Sequence, residues 1–286
     1  MSSNHATSLK SSATLSVLVF AGFIIAYFPV AQGLVHSWSQ NEEYSQGFLV
    51  LPLVLLLIWQ KRRRIAETES TSSLWGLFLL IAGLLLYLLG HFAEIKTVTS
   101  LSMIPVIVGV ILYLYGIEIF KELIFPVFIL LFMIPIPSQI FSSLTIPLQL
   151  LVSKVSVYLA FLMQIPIHRA GNVIYLPHQT LEVVRACSGL RSVLAILFVS
   201  TVFAYFTLTS NKLRMVLALS GIPAAIVVNI IRVLCVIMFS YYFKLDLSRG
   251  AIHTLLGVVV FALVLLFVGL IRWILSNWDI SADQKA

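Results

Sequence analysis

The stretch Gln46-Gly47-Phe48-Leu49-Val50-Leu51-Pro52-Leu53-Val54-Leu55-Leu56-Leu57-Ile58-Trp59-Gln60-Lys61-Arg62-Arg63-Arg64 decides the fold. Fifteen residues without a charge run into four consecutive cations. An apolar run ending on a cationic cluster is how a membrane helix meets the cytoplasmic surface. The rest of the chain agrees. Of its 286 residues 60% are hydrophobic and only 10% charged, with a mean hydropathy of +1.05. A soluble domain is roughly a quarter Asp, Glu, Lys and Arg. So few charges cannot cover a water-exposed globule, which excludes a soluble enzyme, a coiled coil and a disordered chain. At about 20 residues per span the length accommodates about eight helices and modest loops. The expected fold is therefore all-α and polytopic, one integral-membrane domain over residues 1–286. The net charge of +7 does not point to nucleic acid, because the cations are scattered outside that one run.

Apolar runs place helices at about 13–33, 46–60, 73–92, 99–117, 123–137, 187–208, 213–243 and 253–275. The first resembles a signal peptide, but it is long for an h-region and more spans follow, so it reads as an uncleaved helix. Lys61 to Arg64 put the loop after the second helix in the cytoplasm. Both termini are then cytoplasmic. Lys96, Lys154, Arg169, Arg185, Arg191, Lys244 and Arg249 fall at the outer side against the rule. The region from Ser138 to Ala186 is the least regular. Leu144 to Ile165 is apolar but holds Pro147, Lys154 and Gln164, and it reads as a helix lying at the outer interface. The short β-type runs Val173 to Leu176 and Thr180 to Val184, bounded by turn residues, read as a hairpin. Open sheet edges are not tolerated in hydrocarbon, so the hairpin is expected at the outer mouth, before the sixth helix.

That hairpin delivers the chain to Arg185-Ala186-Cys187-Ser188-Gly189-Leu190-Arg191-Ser192. A thiol at a helix N-terminus between arginines has a lowered pKa, and a thiolate is a competent nucleophile. Taken alone, Cys187 fits a packing residue as well. Cys235, surrounded by Val233, Leu234, Val236 and Ile237, reads as core. Arg232 is the lone charge in Ala224 to Phe239. A charge within a span is costly unless paired or hydrated, and it marks a function or a snorkelling side chain. Asn229, three residues earlier on the same helical face, is placed to hold the guanidinium. His253 opens the eighth helix, and Gly257 one turn later permits close packing. Cys187 begins an inward helix, Arg232 nears the end of an outward one, and His253 begins the next inward one. All three are expected at one outer depth. Such a set suits acyl transfer: Cys187 attacks a peptide carbonyl, His253 protonates the leaving amine, and Arg232 stabilises the oxyanion or thiolate. His36, His91, His168 and His178 show no metal-ligand spacing, and there is no phosphate-binding loop, so neither metal nor cofactor is expected. Two other readings stay open: an intramembrane serine protease using Ser188, and a transporter or polysaccharide-export component binding an anion at Arg232.

The chain resembles the exosortase/archaeosortase family of membrane cysteine transpeptidases along nearly its whole length. Glu182-Val183-Val184-Arg185-Ala186-Cys187-Ser188-Gly189-Leu190-Arg191 is similar to the family's E-x-x-x-A-C-S-G-x-R segment. Asn229-Ile230-Ile231-Arg232 resembles its N-x-x-R element, and His253 with Gly257 its H-x-x-x-G element. Tyr44-Ser45-Gln46-Gly47-Phe48-Leu49-Val50 resembles Y-S-H-G-F-L-V, with Gln46 where histidine is common, and Pro135-Ile136-Pro137 its P-x-P. The resemblance implies a catalytic Cys187, Arg232 and His253, with Arg185, Ser188, Arg191 and Asn229 in support. It implies as partners exported proteins with a C-terminal sorting signal, made of a Pro-Glu-Pro motif, a transmembrane helix and a basic tail. Cleavage near the motif would pass the acyl group to an acceptor at the cell surface. It also implies the inner membrane of a Gram-negative bacterium, lipid around the spans, and a periplasmic active site. Arg169 or Arg185 is expected to pair with the acidic motif.

Overall fold

A computed structural model describes the backbone of residues 3–182, 189–244 and 250–283, and their side chains except at 3–17, 42, 189–192, 250–256 and 277–283. The described chain forms two compact units, residues 1–137 and 138–286.

In the first unit, helix α1 (Ser3–Gln40) precedes α2 (Gly47–Glu67) and α3 (Leu74–Phe92). The expected fourth helix is α4 (Lys96–Leu101) continued by α5 (Met103–Leu114), one 19-residue apolar run with only Ser102 between them. Ser102 is a fully buried polar residue. Its Oγ donates to the Thr99 carbonyl at 2.7 Å and receives the Tyr27 hydroxyl at 2.9 Å. Helix α3 packs on α4 and α5 through Gly76, Gly83 and Gly90, one every seven residues and so on one face. A Cβ at Gly109 would stand 2.5 Å from the Leu80 nitrogen, so the two backbones nearly touch. Without water to drive association, small residues that allow such approach hold membrane helices together.

The expected fifth helix, 123–137, is instead α6 (Ile117–Ile129), a one-turn 3-10 helix (Leu130–Met133) and extended chain through Pro135 to Pro137. This segment runs the length of α2. At one end Lys61 donates to both the carboxylate and the carbonyl of Glu122, at 2.9 and 2.8 Å. At the other end Trp38 Nε1 donates to the Met133 carbonyl at 2.8 Å, and the Tyr44 hydroxyl to the Ile136 carbonyl at 3.2 Å. Burial and the neighbouring Glu43 raise the Tyr44 pKa, which keeps that hydroxyl a donor. Trp38 lies directly over Gly47, where any side chain would collide with the indole. Two motifs some ninety residues apart, Tyr44 to Val50 and Pro135 to Pro137, thus meet at one end of this unit.

The second unit begins with α7 (Ser138–Leu162), a continuous helix of 25 residues. It begins six residues before the expected Leu144 and ends at Leu162, and its length and composition alone would suffice to cross a membrane. Pro147 is accommodated within it. Three strands follow: β1 (His168–Ala170), β2 (Val173–Tyr175) and β3 (Thr180–Glu182), antiparallel in that order. The sequence reading found β2 and β3 but not β1. Next come α8 (Gly189–Thr207), α9 (Asn211–Phe243) and α10 (Gly250–Asp283). Six helices among the described residues are long and apolar enough to span, and Val193–Thr207 within α8 is a shorter apolar run. The chain is an all-α, multi-pass membrane protein.

One sheet face carries Ile174 and Leu181, both buried against Val152 and Ala160 of α7 and Val233, Val236 and Ile237 of α9. The opposite face carries His168 and Tyr175, partners in the β1–β2 register whose rings stack 6.2 Å apart. Ser156 Oγ donates to the Ile230 carbonyl at 3.1 Å, joining α7 to α9. The sheet is thereby fixed on the C-terminal half of α9, the half that holds Arg232.

Candidate active site

Helices α8 and α9 are joined by three residues, 208–210, and such short connections make antiparallel neighbours. Their contact is tight at Gly221, where a Cβ would lie 2.6 Å from Ser200 Oγ and 3.0 Å from Ile196 Cγ2. This contact sets the register. Gly189, the first residue of α8, lies eleven residues before Ser200, and Arg232 lies eleven after Gly221. Both are therefore about 16 Å from the contact in the same direction. The start of α8 and Arg232 share one level.

Helix α10 reaches that level too. The Nη2 atom of Arg232 is 3.9 Å from the position of a Cβ on Gly257. The sequence predicted that Gly257 permits close packing against a neighbour, and the described group nearest to it is this guanidinium of α9. His253 stands one turn earlier, with its backbone in the first turn of α10. Arg232 is only 9% exposed, and a cation held that deeply is a strong source of positive potential. Asn229, 6% exposed, shares the buried face of α9.

Cys187, Ser188 and Arg185 lie outside the described residues. Arg191 has its backbone in the first turn of α8. The side chains of Arg191 and His253 are likewise outside the description. Arg169 is partly exposed on the sheet. Its Nη1 donates to the Gly171 carbonyl at 2.7 Å and to Ser153 Oγ at 3.4 Å. Gly171 sits at φ +64°, which favours glycine, and this turn is anchored to α7 through Arg169 and Ser153. Cys235, expected in the core, is a free and half-buried thiol on α9. Among the described residues no three His, Cys, Asp or Glu side chains gather where they could hold a metal ion.

The sequence profile described as transmembrane exosortase (Exosortase_EpsH) matches residues 38–270. The chain belongs to the transmembrane exosortase family. No curated protein and no solved structure matches it. The matched span takes in the Trp38–Met133 and Tyr44–Ile136 contacts of the first unit and nearly all of the second. Exosortases are membrane transpeptidases or proteases. In this exosortase the described part of the candidate site is a buried arginine facing the first turns of α10, level with the start of α8.

Proposed function

We propose that this chain cleaves the C-terminal sorting signal of exported membrane-anchored proteins through a thioacyl intermediate and transfers the product to a surface acceptor. The observation that carries the reading is the buried guanidinium of Arg232 beside Gly257, at the level where α8 begins. Cys187 precedes that beginning by two residues in the sequence, and His253 precedes Gly257 by four. In this reading the Cys187 thiolate attacks the scissile carbonyl and forms a C–S bond. The carbonyl oxygen takes the negative charge and Arg232 stabilises it. His253 gives its proton to the leaving amine as the C–N bond breaks. An acceptor nucleophile then attacks the thioester, loses its proton to His253 and releases the thiolate. Arg185, Ser188, Arg191 and Asn229 support substrate and oxyanion.

A substrate anchored by one helix presents its motif just beyond the hydrocarbon. The reading places this site on the periplasmic side of the inner membrane, with both termini in the cytoplasm. The test is to trap the intermediate. The purified protein is incubated with a sorting-signal peptide, quenched in acid and digested, and the linkage is read by mass spectrometry. An acyl group on Cys187 that hydroxylamine removes is the expected result. No adduct, or an adduct on Ser188, overturns the reading.

A further inference from the structure

The end of the second unit opposite Arg232 carries a second cationic site. Arg272 lies fifteen residues after Gly257 on α10, about 22 Å farther along the helix. Ile271 and Leu275 on either side of it pack with Leu208, Leu213 and Leu217, where α8 turns into α9. That turn brings two more cations. The Arg214 side chain is held in place: Nε donates to the Leu208 carbonyl at 2.7 Å, Nη1 to Asn211 Oδ1 at 3.2 Å, and Cζ lies 4.9 Å over the Tyr205 ring. Lys212 is exposed. Residues 208–216 and 268–276 hold these three cations and no acidic residue.

Arg272 is the unusual member. It is half-buried, and its Nε is buried without a hydrogen-bond partner. A buried donor left unsatisfied costs about 1–3 kcal/mol, more when charged. At the end of a long apolar helix the phosphate of a lipid is an acceptor within reach of the guanidinium, and no acceptor among the described residues bonds its Nε. Leading up to Arg272, the side chains of Leu263, Leu266, Leu270 and Trp273 form an exposed apolar stripe on α10, at i, i+3, i+7 and i+10. Acyl chains fit that stripe, a Trp and a Tyr mark the headgroup level, and three cations with no ion pair among the described residues fit an anionic headgroup.

We propose that Arg272, Arg214 and Lys212 form a binding site for the phosphate of an anionic phospholipid, its acyl chains lying along Leu263, Leu266 and Leu270. The guanidinium of Arg272 supplies paired donors to the phosphate oxygens, which a lysine there could not reproduce. The assignment is independent of the chemistry proposed at Arg232.

The experiment is native mass spectrometry of the full chain released from detergent micelles with phosphatidylglycerol or phosphatidylcholine titrated in. The wild type is expected to retain phosphatidylglycerol in preference to phosphatidylcholine. Each cation removed is expected to weaken retention about fivefold, in Arg272→Gln and in Lys212→Gln. Lys212 is exposed and makes no contact that folding needs, so its variant reports on binding alone. Arg272→Lys, which keeps the charge, is expected to bind more weakly than the wild type. Equal retention of the two lipids, or unchanged affinity in Lys212→Gln and Arg272→Gln, overturns the proposal. So does full displacement of the lipid by millimolar inorganic phosphate, which would make this a site for the free ion.

Discussion

The guanidinium of Arg232 stands 3.9 Å from where a Cβ on Gly257 would be, so the glycine faces a charge. A methyl at that distance makes ordinary contact, and alanine is the better helix former by about 1 kcal/mol. Gly257→Ala is therefore expected to fold at least as well as the wild type and to keep processing a sorting-signal substrate. Gly257→Leu is expected to push the guanidinium aside and lower processing by about 10²-fold, as small misplacements of a reacting group do. A processing assay on the two variants, with expression and thermal unfolding as the folding control, checks this. Equal activity of the leucine variant would mean that the guanidinium is not needed at that point.

Arg232 itself is tested by two substitutions that separate charge from geometry. Removing one oxyanion donor costs about 10²–10³ in turnover in acyl-transfer enzymes. Arg232→Gln is expected to fall in that range. Arg232→Lys keeps a positive charge but loses the planar fork, and is expected to recover only part of the loss. Single-turnover release of the cleaved peptide is the measurement. A wild-type rate in Arg232→Gln would remove the guanidinium from the reaction.

The all-α, multi-pass character of this exosortase was legible because long apolar runs form helices long enough to span. The starts and ends of α3, α8 and α9 fall within a few residues of the sequence reading. The common level of α8, Arg232 and α10 was legible for the same reason, as alternating helices return to the same side. What the sequence did not disclose depends on single contacts. Ser102 is buried in the fourth helix with Tyr27 bonded to it, and nothing local announces a partner 75 residues away. Three-residue β1 has no alternation long enough to detect, and it exists because β2 pairs with it. The bond from Arg169 to Ser153 was not legible because its partner lies on another element. That the group opposite Gly257 is a guanidinium was not legible, because the motif looks the same whether a backbone or a side chain lies there.

Cys187 and the adjacent Ser188 offer two candidate nucleophiles, which one pair of variants distinguishes. Cys187→Ala is expected to abolish processing of a sorting-signal substrate and its covalent adduct. Ser188→Ala is expected to retain most processing, because a hydroxyl at neutral pH is a weak nucleophile without an adjacent base, whereas a thiol between arginines is ionised readily. The opposite pattern, full activity in Cys187→Ala and loss in Ser188→Ala, would make the enzyme a serine protease. Activity in both variants would favour a non-enzymatic role.

In the first unit, Gly76 and Gly109 set the spacing of α3 and α5. A Cβ on Gly109 would meet the Leu80 nitrogen at 2.5 Å and Cα at 2.7 Å, and one on Gly76 would meet the Tyr113 nitrogen. Backbone atoms cannot swing aside as a side chain can. Gly109→Ala is expected to separate the helices and destabilise the protein by about 1–3 kcal/mol despite the higher helix propensity of alanine. Gly22, which has open space around it, is the control, and Gly22→Ala is expected to be neutral or slightly stabilising. Thermal unfolding in detergent measures both. Equal stability of the two variants would show that α3 and α5 tolerate a wider separation.

Arg169 bonds the sheet to α7, and its variants separate a supporting role from recognition of the acidic motif. Its Nη1 bonds the Gly171 carbonyl at 2.7 Å and Ser153 Oγ at 3.4 Å, which fixes the β1–β2 turn on α7. The guanidinium is partly exposed, so each bond is worth about 1 kcal/mol rather than its full charged value. Arg169→Gln is expected to lower stability modestly and to slow processing of every substrate by the same factor, because the sheet leads directly into the segment containing Cys187. A residue that met the acidic motif itself would behave differently, and its loss would fall only on substrates carrying the acidic residue. Processing of a Pro-Glu-Pro substrate is therefore compared with that of a Pro-Gln-Pro substrate in both backgrounds. An unchanged ratio is expected. A ratio that collapses to one in Arg169→Gln would return this arginine to substrate recognition.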